Sequence, residues 1–166
     1  MHLTVELSYA ADVPAVAAML CDPEFVAWRA ARPGATRATR ADVSGDVASG
    51  FTLSVRRTLP TDVIPHQLRA VVGDHLEVRQ AEAWEPADGA RHVGTVAVEI
   101  TGAPVRLTGT LRLEPAPDGG TRHTYDVDVR ASVPLFAVPV EEAAARAVRR
   151  TLEAEQQAAW EWLTRE

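Results

Sequence analysis

Five polar residues stand where an alternating apolar pattern calls for hydrophobic ones. Arg57 shares the parity of Phe51, Leu53 and Val55. Gln80 and Glu82 share that of Leu76, Val78 and Trp84. His123 and Tyr125 share that of Val127 and Val129. Side chains two apart on a strand point to the same face, so these five belong to otherwise apolar faces. A carboxylate, an imidazole and a phenol placed there could do general acid–base work. The same groups could instead orient the polar end of an apolar ligand. They also admit a plainer reading: Arg57 and Glu82 pair, groups near strand ends are solvated, or a bulge turns one of them outward.

Other chemistry finds little support in the spacing. The histidines are His2, His66, His75, His92 and His123, and none stands at HxxxH, HxH or Cys-His spacing. No metal and no cofactor is therefore expected. Cys21 is the single cysteine, so no disulfide forms within the chain, and its place after an apolar helix reads as packing. GxSxG, P-loop and GxGxxG patterns do not occur. Gly119-Gly120 reads as a turn. Of the four tryptophans, Trp28 and Trp84 read as core or pocket, Trp162 lies on an apolar helical stripe, and Trp160 lies off it.

The elements that must position these residues follow from periodicity. Leu3, Val5, Leu7 and Tyr9 alternate with polar residues, which is a half-buried strand. Asp12 with Pro14, then Asp22 with Pro23, open two short helices, the second ended by Pro33-Gly34. Residues 35–48 read as a weak polar strand. Further extended segments cover 51–59, 76–84, 93–100, 105–113 and 120–133, separated by Pro-, Gly- and Asp-rich turns. Pro60 and Pro65 bracket a connection in which Gln67–Val72 could form one or two helical turns. From Val140 to the end no glycine or proline occurs, and Val140, Ala144, Val148, Leu152, Ala159, Trp162 and Leu163 fall on one stripe. The order predicts an α+β domain spanning 1–166: a curved seven-stranded antiparallel sheet around one long C-terminal helix, with two short helices after the first strand.

Composition bounds the function further. The net charge is −6 and the pI about 5.4, which argues against a nucleic-acid partner. All 17 basic residues are arginine, as high-GC coding would give. The N-terminus lacks a secretory pattern, and about 18 consecutive apolar residues occur nowhere, so a cytoplasmic protein without stable membrane insertion is expected.

The opening MHLTVELSYAADVPAVAAMLCDPEF and the closing EEAAARAVRRTLEAEQQAAWEWL resemble the START-like superfamily, also called the SRPBCC, helix-grip or polyketide-cyclase/birch-allergen-like fold. The segments VRRTLPTD, VVGD, EAWEPADG, TGTLRLEP and SVPL are similar to a small uncharacterised family from high-GC bacteria within it. The resemblance implies a cavity between sheet and helix. Its expected lining is Arg57, Gln80, Glu82, Trp84, Val98, Leu111, Tyr125, Val148 and Leu152, with no catalytic residue assigned. It implies a non-enzymatic protein, monomeric or homodimeric, that binds an apolar lipid-like or aromatic small molecule. One alternative is a cyclase/dehydratase-like enzyme working by acid–base catalysis in that cavity. Another is an interaction module whose cavity has collapsed.

Overall fold

The structure is a computed structural model that describes residues 1–31, 38–59 and 76–165. The expected break at Pro33-Gly34, the turns at 67–72, and His66 and His75 lie outside the described residues.

Seven strands form one antiparallel sheet: β1 (His2–Tyr9), β2 (Ala38–Asp46), β3 (Gly50–Leu59), β4 (Leu76–Trp84), β5 (His92–Thr101), β6 (Val105–Pro115) and β7 (Thr121–Ala131). Their spatial order is β1-β7-β6-β5-β4-β3-β2, so β1 and β2 are the edges and the sheet stays unclosed. Every neighbour except the β1–β7 pair is a sequence neighbour, which is what tight turns enforce. Period two survives in the burial: Leu3, Val5, Leu7 and Tyr9 are buried while the residues between them are exposed. Gly109 of β6 marks a close approach, since a Cβ there would collide with the Asp126 carbonyl oxygen and with Val127 of β7.

Two short helices follow β1. In α1 (Val13–Cys21) the Asp12 carboxylate accepts from the Ala15 amide at 3.0 Å. In α2 (Pro23–Ala30) Asp22 accepts from the Glu24 amide at 2.8 Å. Each caps an orphan donor of a first turn, with proline tolerated beside it. Phe25 and Val26 of α2 are fully buried, each worth roughly 1.5–3 kcal/mol of transfer free energy.

The last helix, α3 (Ala137–Leu163), runs 27 residues, about 40 Å at 1.5 Å per residue. It begins three residues before Val140 because Pro139 falls in the first turn, where its missing N–H would have no intrahelical partner. It packs on β1, β7 and β6 and on α2. Before it the chain bends at Leu135, which holds φ +67° and is 96% exposed. Phe136 and Val138 beside it are also exposed.

Candidate functional site

A cavity of about 150 Å³ lies between the sheet and α3. The sheet gives it Arg57 from β3, Val78 and Gln80 from β4, Val96, Val98 and Ile100 from β5, Leu107 from β6, and Tyr125 and Val127 from β7. The helix gives Ala144, Ala147, Val148, Thr151 and Leu152. Aliphatic groups dominate, and the polar ones are Arg57, Gln80, Tyr125 and Thr151. Thr151 spends its hydroxyl on the Ala147 carbonyl at 3.0 Å. A second, solvent-open hollow on the opposite face is lined by small side chains such as Ser54, Ala81 and Ala97 together with Asp42, Ser44, Thr52 and Thr95, and it lies away from α3.

Six of the nine residues singled out from sequence line the cavity: Arg57, Gln80, Val98, Tyr125, Val148 and Leu152. Glu82, Trp84 and Leu111 do not. They lie deeper in the core, at 2%, 3% and 0% exposure.

Glu82 belongs to a buried charge cluster that joins sheet to helices. Its Oε1 accepts from Gln80 Nε2 at 2.7 Å and its Oε2 from Trp84 Nε1 at 3.0 Å. Arg29 of α2 approaches Glu82 at 3.9 Å and reaches Glu155 of α3 at 3.4 Å. Arg57 donates to the same Glu155 at 2.8 Å. Arg57 therefore pairs with Glu155 and not with Glu82, its alternative partner by sequence. Two guanidiniums and two carboxylates, all buried, share one neighbourhood.

Their ionisation follows from burial and neighbours. Burial opposes a charge on Glu155, but Arg29 and then Arg57 outweigh it and hold its carboxyl below the usual range. Burial pushes Glu82 up, with Arg29 and the Trp84 and Gln80 donors pulling back. Burial likewise works against the charge on Arg29, yet Glu155 and Glu82 keep that guanidinium firmly protonated.

Arg29 and Glu155 were missed from sequence, though a signal existed. Glu155 stands three residues after Leu152 and four before Ala159, squarely on the apolar stripe of α3. Arg29 stands four after Phe25 on the buried face of α2. A charge at such a position needs a buried partner.

His123 lies outside the cavity lining and is fully buried. Its Nδ1 lies 3.4 Å from the Tyr9 hydroxyl, and its ring packs against Tyr125 at 4.4 Å and Trp84 at 5.5 Å. Burial, with Arg29 nearby, pushes its pKa down to about 3, so the ring is neutral. Of Glu82, His123 and Tyr125, the groups on which the acid–base alternative could draw, only Tyr125 thus lines the cavity. Trp162 packs on Phe25 at 5.4 Å and Trp28 at 5.5 Å, under the Arg165 guanidinium, whereas Trp160 is 56% exposed. Among the described residues no three of His, Cys, Asp and Glu gather as a metal site, and no helix is long and apolar enough to cross a membrane.

Comparison with known proteins supplies the context. A family model described as "Protein of unknown function (DUF2505)" matches residues 4–163. The uncharacterized protein Rv0481c of Mycobacterium tuberculosis is 32% identical over 128 residues, 74% of this chain and 72% of the relative. Among solved structures, a STAR-related lipid transfer protein from Xanthomonas axonopodis superposes with a TM-score of 0.59 at 18% identity, over 99% of this chain and 86% of that one. Norcoclaurine synthase from Thalictrum flavum, in complex with dopamine and hydroxybenzaldehyde, superposes with a TM-score of 0.54 at 15% identity, over 97% and 87%. At these identities the likeness shows the fold, which is START-like, as the sequence resemblance implied.

Proposed function

The chain belongs to the DUF2505 family, and we propose that it holds one apolar small molecule, lipid-like or aromatic, in the cavity between the sheet and α3. The observation that carries this reading is the lining itself: a concave, mainly aliphatic surface, partly open to solvent, interrupted by Arg57, Gln80 and Tyr125. Sites of this make-up bind apolar bodies and use a few polar groups to fix orientation. The fold is also that of a protein described as lipid transfer and of one solved with two small aromatic compounds, which supports the reading by analogy only.

The acid–base alternative finds less support. Among the described residues no imidazole faces the cavity with a carboxylate, because His123 is packed under Tyr9, Trp84 and Tyr125. Glu82 is enclosed by Gln80 and Trp84. The collapsed-cavity alternative conflicts with the open volume beside α3.

Native mass spectrometry of the purified protein tests the proposal. A bound compound released on denaturation, apolar and at one per chain, is the expected result. Repeated preparations free of any compound, together with no binding from a panel of apolar compounds, would reject it.

A further inference from the structure

Among the described residues, the buried charges beside the cavity form a matched set, and this bears on what the cavity accepts. Arg29 and Arg57 supply two positive charges, Glu82 and Glu155 two negative ones. Both oxygens of Glu82 face N–H donors, an arrangement that serves the ionised carboxylate. Glu155 accepts from both guanidiniums. An anionic ligand placed at Arg57 would add a charge with no buried partner, in surroundings where desolvation is costly.

Hydrogen-bonding capacity at the cavity is not matched in the same way. Arg57 lines the cavity, gives Nη2 to Glu155, and has a buried Nε–H without a hydrogen-bond partner. Tyr125 lines the same cavity, and its hydroxyl has no hydrogen-bond partner among the described residues. Donors are in surplus, and charge is in balance. A neutral acceptor oxygen matches that combination, and a carboxylate does not.

Size narrows the class again. Drug-sized ligands occupy pockets of roughly 300–1,000 Å³, whereas the volume here, about 150 Å³, is that of an aliphatic cavity filled by a single benzene ring. Val96, Val98, Leu107 and Val148 supply such walls.

We propose that the cavity selects an uncharged, single-ring compound bearing one hydrogen-bond-accepting oxygen, received at Tyr125 and Arg57, and discriminates against the corresponding carboxylate. This rests on the binding function proposed above and names its ligand class.

Three probes of nearly one shape test it by calorimetry on the intact protein: acetophenone, α-methylstyrene and benzoate. Acetophenone should bind about fivefold tighter than α-methylstyrene, the worth of one net hydrogen bond, and at least about tenfold tighter than benzoate. Tyr125→Phe should remove the advantage over α-methylstyrene while leaving α-methylstyrene affinity in place. Benzoate binding as tightly as acetophenone, or α-methylstyrene matching it, would overturn the inference and leave an apolar-binding protein standing. So would binding of 1-hexadecanol with none of the three single-ring probes. Failure of all four would overturn the underlying binding function as well.

Discussion

Arg57 on β3 and Glu155 on α3 meet at 2.8 Å across the interior, 98 positions apart in the chain. The contact ties the sheet to the helix at the edge of the cavity, and Arg29 of α2 shares the same carboxylate at 3.4 Å. Removing Glu155 therefore strands Arg57 and leaves Arg29 only Glu82, at 3.9 Å, whereas removing Arg57 leaves Glu155 still matched by Arg29. Glu155→Ala should cost about 3–5 kcal/mol, as breaking a buried pair does, and more than Arg57→Met. Urea denaturation at neutral pH reads the difference. Equal or negligible losses would show the cluster to be energetically idle.

Acid should destabilise the fold through two of these groups. Glu155 titrates below its unfolded value, so its contribution is present above the unfolded pKa and lost as pH falls through the folded one. His123 is neutral in the fold down to about pH 3, but in the unfolded chain it takes a proton near pH 6.5. Below pH 6.5 the unfolded state binds that proton and the native state does not, so stability falls between pH 6.5 and 3. Glu82, raised by burial, acts with the opposite sign. Urea midpoints from pH 7.5 to 4 should fall on acidification, and His123→Phe should flatten the part between pH 6.5 and 5. An unchanged slope in that variant would contradict the burial of a neutral ring.

Much of this fold was legible in the sequence. Leu3, Val5, Leu7 and Tyr9, and likewise Phe51, Leu53 and Val55, gave strand faces that the burial reproduces. Asp12 and Asp22 announced both short helices. Partners across the interior were not legible. Alternation places Arg57 and Glu82 on one face but cannot say that a helix brings Glu155 to the first and Arg29 to the second. His123 looked like a residue near a turn, yet it pairs with Leu7 of β1 inside the sheet, and its ring lies beneath Tyr9 and Trp84. Leu111 and Trp84 share the cavity's face but sit deeper in the core, a distinction that period two does not carry.

The bend before α3 stores strain. Leu135 holds a left-handed φ of +67° with its side chain 96% in solvent, a conformation costing an L-residue roughly 1–2 kcal/mol. Leu135→Gly removes that cost and little packing. A stability gain of up to about 1 kcal/mol should follow, after glycine's extra unfolded-state entropy. Thermal or urea unfolding measures it. A loss instead would show that the exposed leucine makes contacts the isolated chain does not display.

Cavity volume should respond in opposite directions to two helix substitutions. Leu152→Ala removes a buried side chain at 4% exposure and should cost about 2–5 kcal/mol. Ala147→Leu adds methylenes into the void that Ala147 lines, so it should leave stability unchanged or higher while reducing ligand uptake. A large loss from Ala147→Leu would mean that the space is already filled.

The most direct test of the central claim is methyl-resolved NMR of the protein titrated with an apolar compound that it binds. The account predicts shifts concentrated at Val78, Val96, Val98, Leu107, Val148 and Leu152, with the methyls of Leu7 and Leu20, which do not line the cavity, shifting least. Shifts confined instead to Val43 and Leu53 beside the open hollow, or to Leu135 and Val138 at the α3 bend, would contradict it.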